Sequence, residues 1–164
     1  EKIDSIQRLI ESRNVVCFIP FTREFSDEYK MNFKILPEEI LLEWPFIELG
    51  IDPLVHQGAH MMHFLAMNFE EYKIELKTVK REGTDYHFEG NIGDNKLICR
   101  LISDSTGKKQ FALNGRSFPK INHLLAYPKM IEAIIQSSGS SSNHHIKRAI
   151  RAAKLLIEAV QRLE

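Results

Sequence analysis

The sequence predicts an α+β fold: an antiparallel meander sheet packed with a central apolar helix and flanking helices, plus a C-terminal amphipathic helix after a Ser/Gly linker. Three observations predict it. Residues 53–67 are apolar nearly all round, as in a helix buried within a domain. Residues 72–113 alternate apolar and polar side chains between closely spaced turns, the pattern of half-buried strands. Residues 137–142 contain only Ser and Gly, and helical periodicity returns beyond them. The expected organisation is an α+β domain over 1–136, a flexible linker over 137–142 and an amphipathic helix over 143–164. That linker has the composition of an engineered joint as much as of a natural one, so the last helix reads as a docking helix or a tethered partner segment.

Ile3, Ile6, Leu9 and Ile10 share one face of a short helix over 2–13, which Asn14 stops. Val15 to Ile19 reads as a buried strand ended by Pro20. Tyr29, Met31, Phe33 and Ile35 alternate with polar residues as a half-buried strand. Pro37 followed by Glu38 and Glu39 fits the first turn of a short helix: Pro lacks an N–H that would be orphaned there, and the acids suit the dipole. Asp52 is the N-cap of the 53–67 helix. Tyr72, Ile74 and Leu76, then Tyr86 and Phe88, then Lys96 to Ile102 are strands, the last entered through Gly93-Asp94-Asn95. Ser105-Thr106-Gly107 turns into a strand over Gln110 to Leu113 that Asn114-Gly115 ends. Pro119 to Gln136 is helical, with Pro128 kinking or splitting it. Asn143 caps the final helix, which runs to Glu164.

The chain has 164 residues, a one-domain length, with 22 Lys and Arg against 22 Asp and Glu. Zero net charge argues against a diffuse nucleic-acid binder. Cys17 and Cys99 lie in strand-like apolar runs and read as two buried, reduced thiols. No apolar run has the length of a membrane span, and no signal peptide is evident. These features point to a soluble, intracellular protein, cytoplasmic or nuclear. The chain opens at Glu1 without Met, as an excised or trimmed piece would.

His56, His60 and His63 share one helical face, a spacing that can hold a metal with help from Glu70 or Glu71. Met67 on that face would suit a soft metal. H-E-x-x-H is absent, and the expectation is that these histidines bind no metal. Glu75-Leu76-Lys77, with Asp52 upstream, resembles the acid and E-x-K pattern of metal-dependent nucleases. Asp52 is explained as a cap, however, and alternating Lys and Glu is the ordinary solvated face of a strand. No phosphate-binding G-x-x-x-x-G-K-S/T or G-x-G-x-x-G, no G-x-S-x-G and no paired C-x-x-C occurs. No cofactor is expected.

The run from Lys73 to Gly83, then Tyr86-His87-Phe88-Glu89-Gly90, then Asn95 to Arg100 resembles the back half of the hot-dog fold. In that superfamily an antiparallel sheet wraps a long central helix, and many members act on acyl thioesters. His56-Gln57-Gly58 sits where their central helix begins. The resemblance covers roughly 50 residues as alternation and turns. It implies a thioesterase or dehydratase, with His56 as polarising residue or base and the N–H near Gly58 as an oxyanion donor. The chain departs from the pattern in having no Asp or Glu inside that helix and in its extra strand and helix after residue 107.

On the last helix, Ile146, Ile150, Ala153, Ile157 and Val160 form a stripe that Ala149, Leu156 and Leu163 widen. Lys147, Arg148, Arg151 and Lys154 fill the first half together with His144 and His145, although the helix dipole disfavours cations there. Residues 138–164 carry five Lys and Arg against two Glu, whereas residues 1–137 carry 17 against 20 acids. Much of that acid lies in Glu24, Asp27, Glu28, Glu38, Glu39, Glu43, Glu48 and Asp52. The expected function is therefore a protein-interaction module, a reading favoured over an enzyme without deciding between them. An apolar, acid-rimmed groove on residues 1–137 would bind an amphipathic basic helix, either a protein partner's or its own. The alternatives are the hot-dog-like enzyme on an acyl thioester and a membrane-surface or nucleic-acid role for the basic helix.

Overall fold

The computed structural model describes residues 4, 5, 8, 9, 22–31, 33, 35–119, 123–137 and 144–163. The expected strand at Val15–Ile19 with Cys17, most of the 2–13 helix, the linker after Ser137 and the Asn143 cap lie outside them. Two single 3-10 turns, Thr22–Phe25 and Asp27–Tyr29, precede strand β1 (Glu39–Phe46) and helix α1 (Pro53–Asn68). Strands β2 (Ile74–Glu82), β3 (Asp85–Ile92), β4 (Asn95–Ser103), β5 (Ala112–Leu113) and β6 (Arg116–Ser117) follow, then helices α2 (His123–Ser137) and α3 (His144–Gln161).

The six strands form one mostly antiparallel sheet in the order β2-β3-β4-β1-β5-β6. One pair departs from the antiparallel expectation: β1 runs parallel to β4, with Leu42 opposite Cys99. The crossover through α1 makes this arrangement accessible, since parallel neighbours need a long connection rather than a hairpin. It also departs from the antiparallel sheet that the hot-dog likeness implies.

Two local expectations are corrected. Residues 37–44 do not start a helix, because β1 occupies 39–46. Ile40, Leu42, Trp44 and Phe46 bury one face, and this period-two burial outweighs the helix-start signal of Pro37-Glu38-Glu39. Pro45 is tolerated because β5 pairs only with Leu42 and Glu43, leaving Pro45 beyond the two-sided part of the strand. The strand expected over Tyr29–Ile35 is not found at its described residues, Tyr29, Lys30, Met31, Phe33 and Ile35. Tyr29 ends a 3-10 turn and donates to the Pro119 carbonyl at 2.9 Å, and the Met31 N–H donates to Asn68 Oδ1 at 2.6 Å. The Met31 backbone is thus met by the end of α1.

Asp52 caps α1, accepting from the Leu54 N–H at 2.7 Å. The helix then buries Leu54, Met61, Met62, Phe64, Leu65 and Ala66 against β1 and β4. Asn114 and Gly115 both take positive φ (48° and 76°), the two-residue turn that an Asn-Gly pair favours between β5 and β6. Gly90 is demanded by packing: a Cβ there would stand 2.1 Å from the Glu75 carbonyl oxygen, beside the register shift between Leu76 and Thr78. Cys99 is fully buried in β4, and burial pushes its thiol far above the ordinary range. Helix α3 lies on α1 and on edge strand β2, and Leu163 forms a bridge to Val79. Helix α2 packs on the first 3-10 turn and leaves Leu124, Leu125, Ile131 and Ile135 in solvent. Among the described residues no helix is long and apolar enough to cross a membrane.

Candidate functional site

The most concentrated polar chemistry lies where α3 crosses the first 3-10 turn and the end of α1. Glu24 is 3% exposed. Its carboxylate meets the Arg148 guanidinium and faces His145 Nδ1 at 2.9 Å and His63 Nε2 at 3.5 Å. Burial pushes the Glu24 pKa up, but His145, His63 and Arg148 outweigh it and hold the carboxyl well below the usual carboxylate range. The other edge of Arg148 grips Glu70, with Nε and Nη2 at 3.1 and 2.9 Å from Oε2. The His145 ring stacks on Phe25 at 5.3 Å.

Arg151 works on backbone rather than on acids. Its Nη1 donates to the Phe69 and Glu70 carbonyls at 3.0 and 2.9 Å, and its Nη2 donates to the Tyr72 carbonyl. These carbonyls lie just past Asn68, the last residue of α1, on the side of the negative end of its dipole. The cations early in α3 are thus placed against the acids and the carbonyl end of α1, which offsets their unfavourable position on their own helix.

The apolar contact of α3 runs through Ile146, Ala149, Ile150, Ala152, Leu155 and Ala159, all buried. Ala153 is half-buried, whereas Ile157 and Val160 remain 45% and 49% exposed. The small residues allow close approach: Leu156 Cδ1 lies 3.5 Å from where a Cβ would stand on Gly58 of α1. Lys147 is exposed, and Lys154 pairs with Asp4 at 2.7 Å.

Of the acids singled out in the sequence, Glu24 is brought to α3, joined by Asp4 and Glu70. The others are engaged elsewhere. Asp27 pairs with Lys129 and Lys30 at 2.6 and 2.9 Å, Glu39 with Lys96 at 2.9 Å and Glu43 with Arg100 at 3.6 Å. Glu28 accepts from Ser26 Oγ at 2.5 Å, and Glu38 is exposed. Glu48 accepts from Ser103 Oγ at 3.4 Å, while Asp52 accepts from Tyr86 Oη at 3.2 Å. In the sequence Glu70 stands out only as a possible metal ligand beside the histidine face, not as a partner of the last helix.

Of the three histidines of α1, the His56 and His60 rings meet edge-on at 5.8 Å, and His63 parts from them. His63 turns to Glu24, and His60 lines a cavity on the other side. His56 lies 3.2 Å from the Gln57 amide, whose Oε1 accepts from Trp44 Nε1 at 3.2 Å. Burial, and then the charges of Arg23, His56 and His63, lower the His60 pKa to about 4. Among the described residues no group of three or more His, Cys, Asp and Glu is arranged to hold a metal ion. Gly58 lies in the second turn of α1, where helical hydrogen bonding takes up its N–H, so it offers no oxyanion donor. No family model matches the chain, and no curated protein or solved structure matches it.

Proposed function

We propose that the body built from α1, the sheet and the first 3-10 turn is a receptor for an amphipathic basic helix. In this reading α3, tethered through the Ser/Gly run at 137–142, occupies the site from within the same chain. The observation that carries the reading is the burial of Glu24. Two of the three groups facing its carboxylate, Arg148 and His145, belong to α3. A buried carboxylate stripped of such partners costs several kcal/mol, so the body presents an acid that calls for an incoming cation. Around it, Ile146, Ile150 and Leu155 each contribute about 1.5–3 kcal/mol when fully buried, and Arg151 fixes the depth of the helix on the end of α1. The helix accepted is defined by apolar or small residues at the positions of 146, 149, 150, 152, 155 and 159, with Arg at 148 and 151.

The test is to place a specific protease site within 138–142, cut the folded protein and add a labelled peptide of residues 143–164. A helix receptor exchanges its bound segment for the labelled one, and Ile150→Asp in the peptide blocks the exchange. A cut protein that never exchanges, or whose body unfolds as soon as the segment leaves, is one indivisible domain, and the receptor reading fails.

A further inference from the structure

A half-buried cation, Arg23, has no carboxylate partner among the described residues, and Tyr29 is the polar side chain beside it. The Arg23 guanidinium lies over the Trp44 ring, 4.7 Å from its centroid, and its Nε is buried without a hydrogen-bond acceptor. Buried charges are normally paired, because an isolated ion in a low-dielectric setting is strongly penalised. Arg23 borders a cavity of about 550 Å³ that opens between the end of β1 and the 104–119 segment. Tyr29, Trp44, Phe111 and Phe118 supply aromatic walls, and His60 lies among them. A cleft of this size, with aromatic walls and a few polar groups set among them, is the usual form of a small-molecule site.

We propose that this cavity binds a small organic monocarboxylate with an apolar or aromatic body, gripped by Arg23. The guanidinium lies over the Trp44 ring, and its terminal N–H groups would supply the fork for a carboxylate. A single negative charge is favoured for two reasons. His60 is held neutral and adds no second cation in the interior. Asp104 also lines the cavity, and its carboxylate is taken up by its own loop: Thr106 N–H at 3.1 Å, Thr106 Oγ1 at 2.7 Å and Lys109 N–H at 2.7 Å. That carboxylate does not neutralise Arg23, but it repels a dianion. Lys109 sits exposed at the rim, where it draws anions toward the opening.

Trp44 is the only tryptophan in the chain, so its fluorescence reads occupancy of the cavity directly. Full-length protein is titrated with 3-phenylpropionate, with neutral 3-phenylpropionamide and with inorganic phosphate. The expected result is a saturable change with the carboxylate in the millimolar range, roughly what a ligand of this size can reach. The amide should bind at least ~10-fold more weakly and phosphate should not saturate. Arg23→Lys should weaken the carboxylate ~10-fold by losing the planar fork. The wild-type comparison of acid and amide stands even where that variant folds poorly. Equal binding of acid and amide, saturation by phosphate in the same range, or no saturable change below ~20 mM carboxylate overturns the proposal.

Discussion

Arg148 on the last helix pairs with Glu24, 124 residues earlier in the chain, and the contact leaves the carboxylate almost wholly out of water. Arg148→Met should therefore destabilise the protein by about 3–5 kcal/mol, because it strands a buried acid. Adding Glu24→Gln to that variant should recover much of the loss. Urea unfolding of the two single variants and the double variant measures this. The folded pKa of Glu24 lies below its ordinary 4.5, so its stabilisation is complete above that value and drains away as pH falls below it. A wild-type stability flat from pH 5 to pH 3, about the ordinary carboxylate range, would contradict the pairing.

Ile150 and Ile157 sit one heptad apart on α3 and are expected to respond in opposite ways. Ile150 is 8% exposed and Ile157 is 45% exposed. Ile150→Asp places a charge in an apolar seat and should remove more than about 3 kcal/mol, whereas Ile157→Asp should change stability by less than about 1 kcal/mol. Similar losses for both would mean that α3 docks on a different face.

His60 gives the protein a second pH dependence. Its folded pKa is lowered from 6.5 to about 4, so it stays neutral in the fold while the unfolded chain takes up a proton. Its contribution is present above pH 6.5 and is lost as pH falls from there toward 4. His60→Gln should flatten the stability profile over that window. NMR titration of the His60 ring, read directly, should give a midpoint well below that of an exposed histidine.

Gly90→Ala should lower stability by several kcal/mol, on the order of 3 or more, because the new methyl would overlap the Glu75 carbonyl across the β2–β3 pair. Gly83→Ala meets no atom within 4 Å and carries only the strain of its positive φ of 64°. Thermal melts of the two variants should therefore differ, with Gly90→Ala the lower.

The sequence by itself determined the elements whose signals are local. Asp52-Pro53 and the apolar run after it specified α1, and Asn114-Gly115 specified a turn by the one backbone shape that pair favours. The alternation at Ile74, Tyr86 and Leu97 specified three strands through period-two burial. The tertiary structure decided whatever depends on a distant neighbour. Glu39–Phe46 carries a helix-start signal and a strand alternation at once, and pairing with β4 on one side and β5 on the other selects the strand. Helix α3 is apolar over so much of its circumference that periodicity alone offers several docking faces. The buried one is where Ala149, Ala152 and Ala159 let it approach α1. Of eight acids that could have met its cations, only Glu24 does: Glu38 lies exposed, and the others meet lysines, arginines, hydroxyls and backbone N–H groups elsewhere in the fold. Charge pattern shows that a basic helix needs acids, but which acids it meets is a matter of position, and position belongs to the fold.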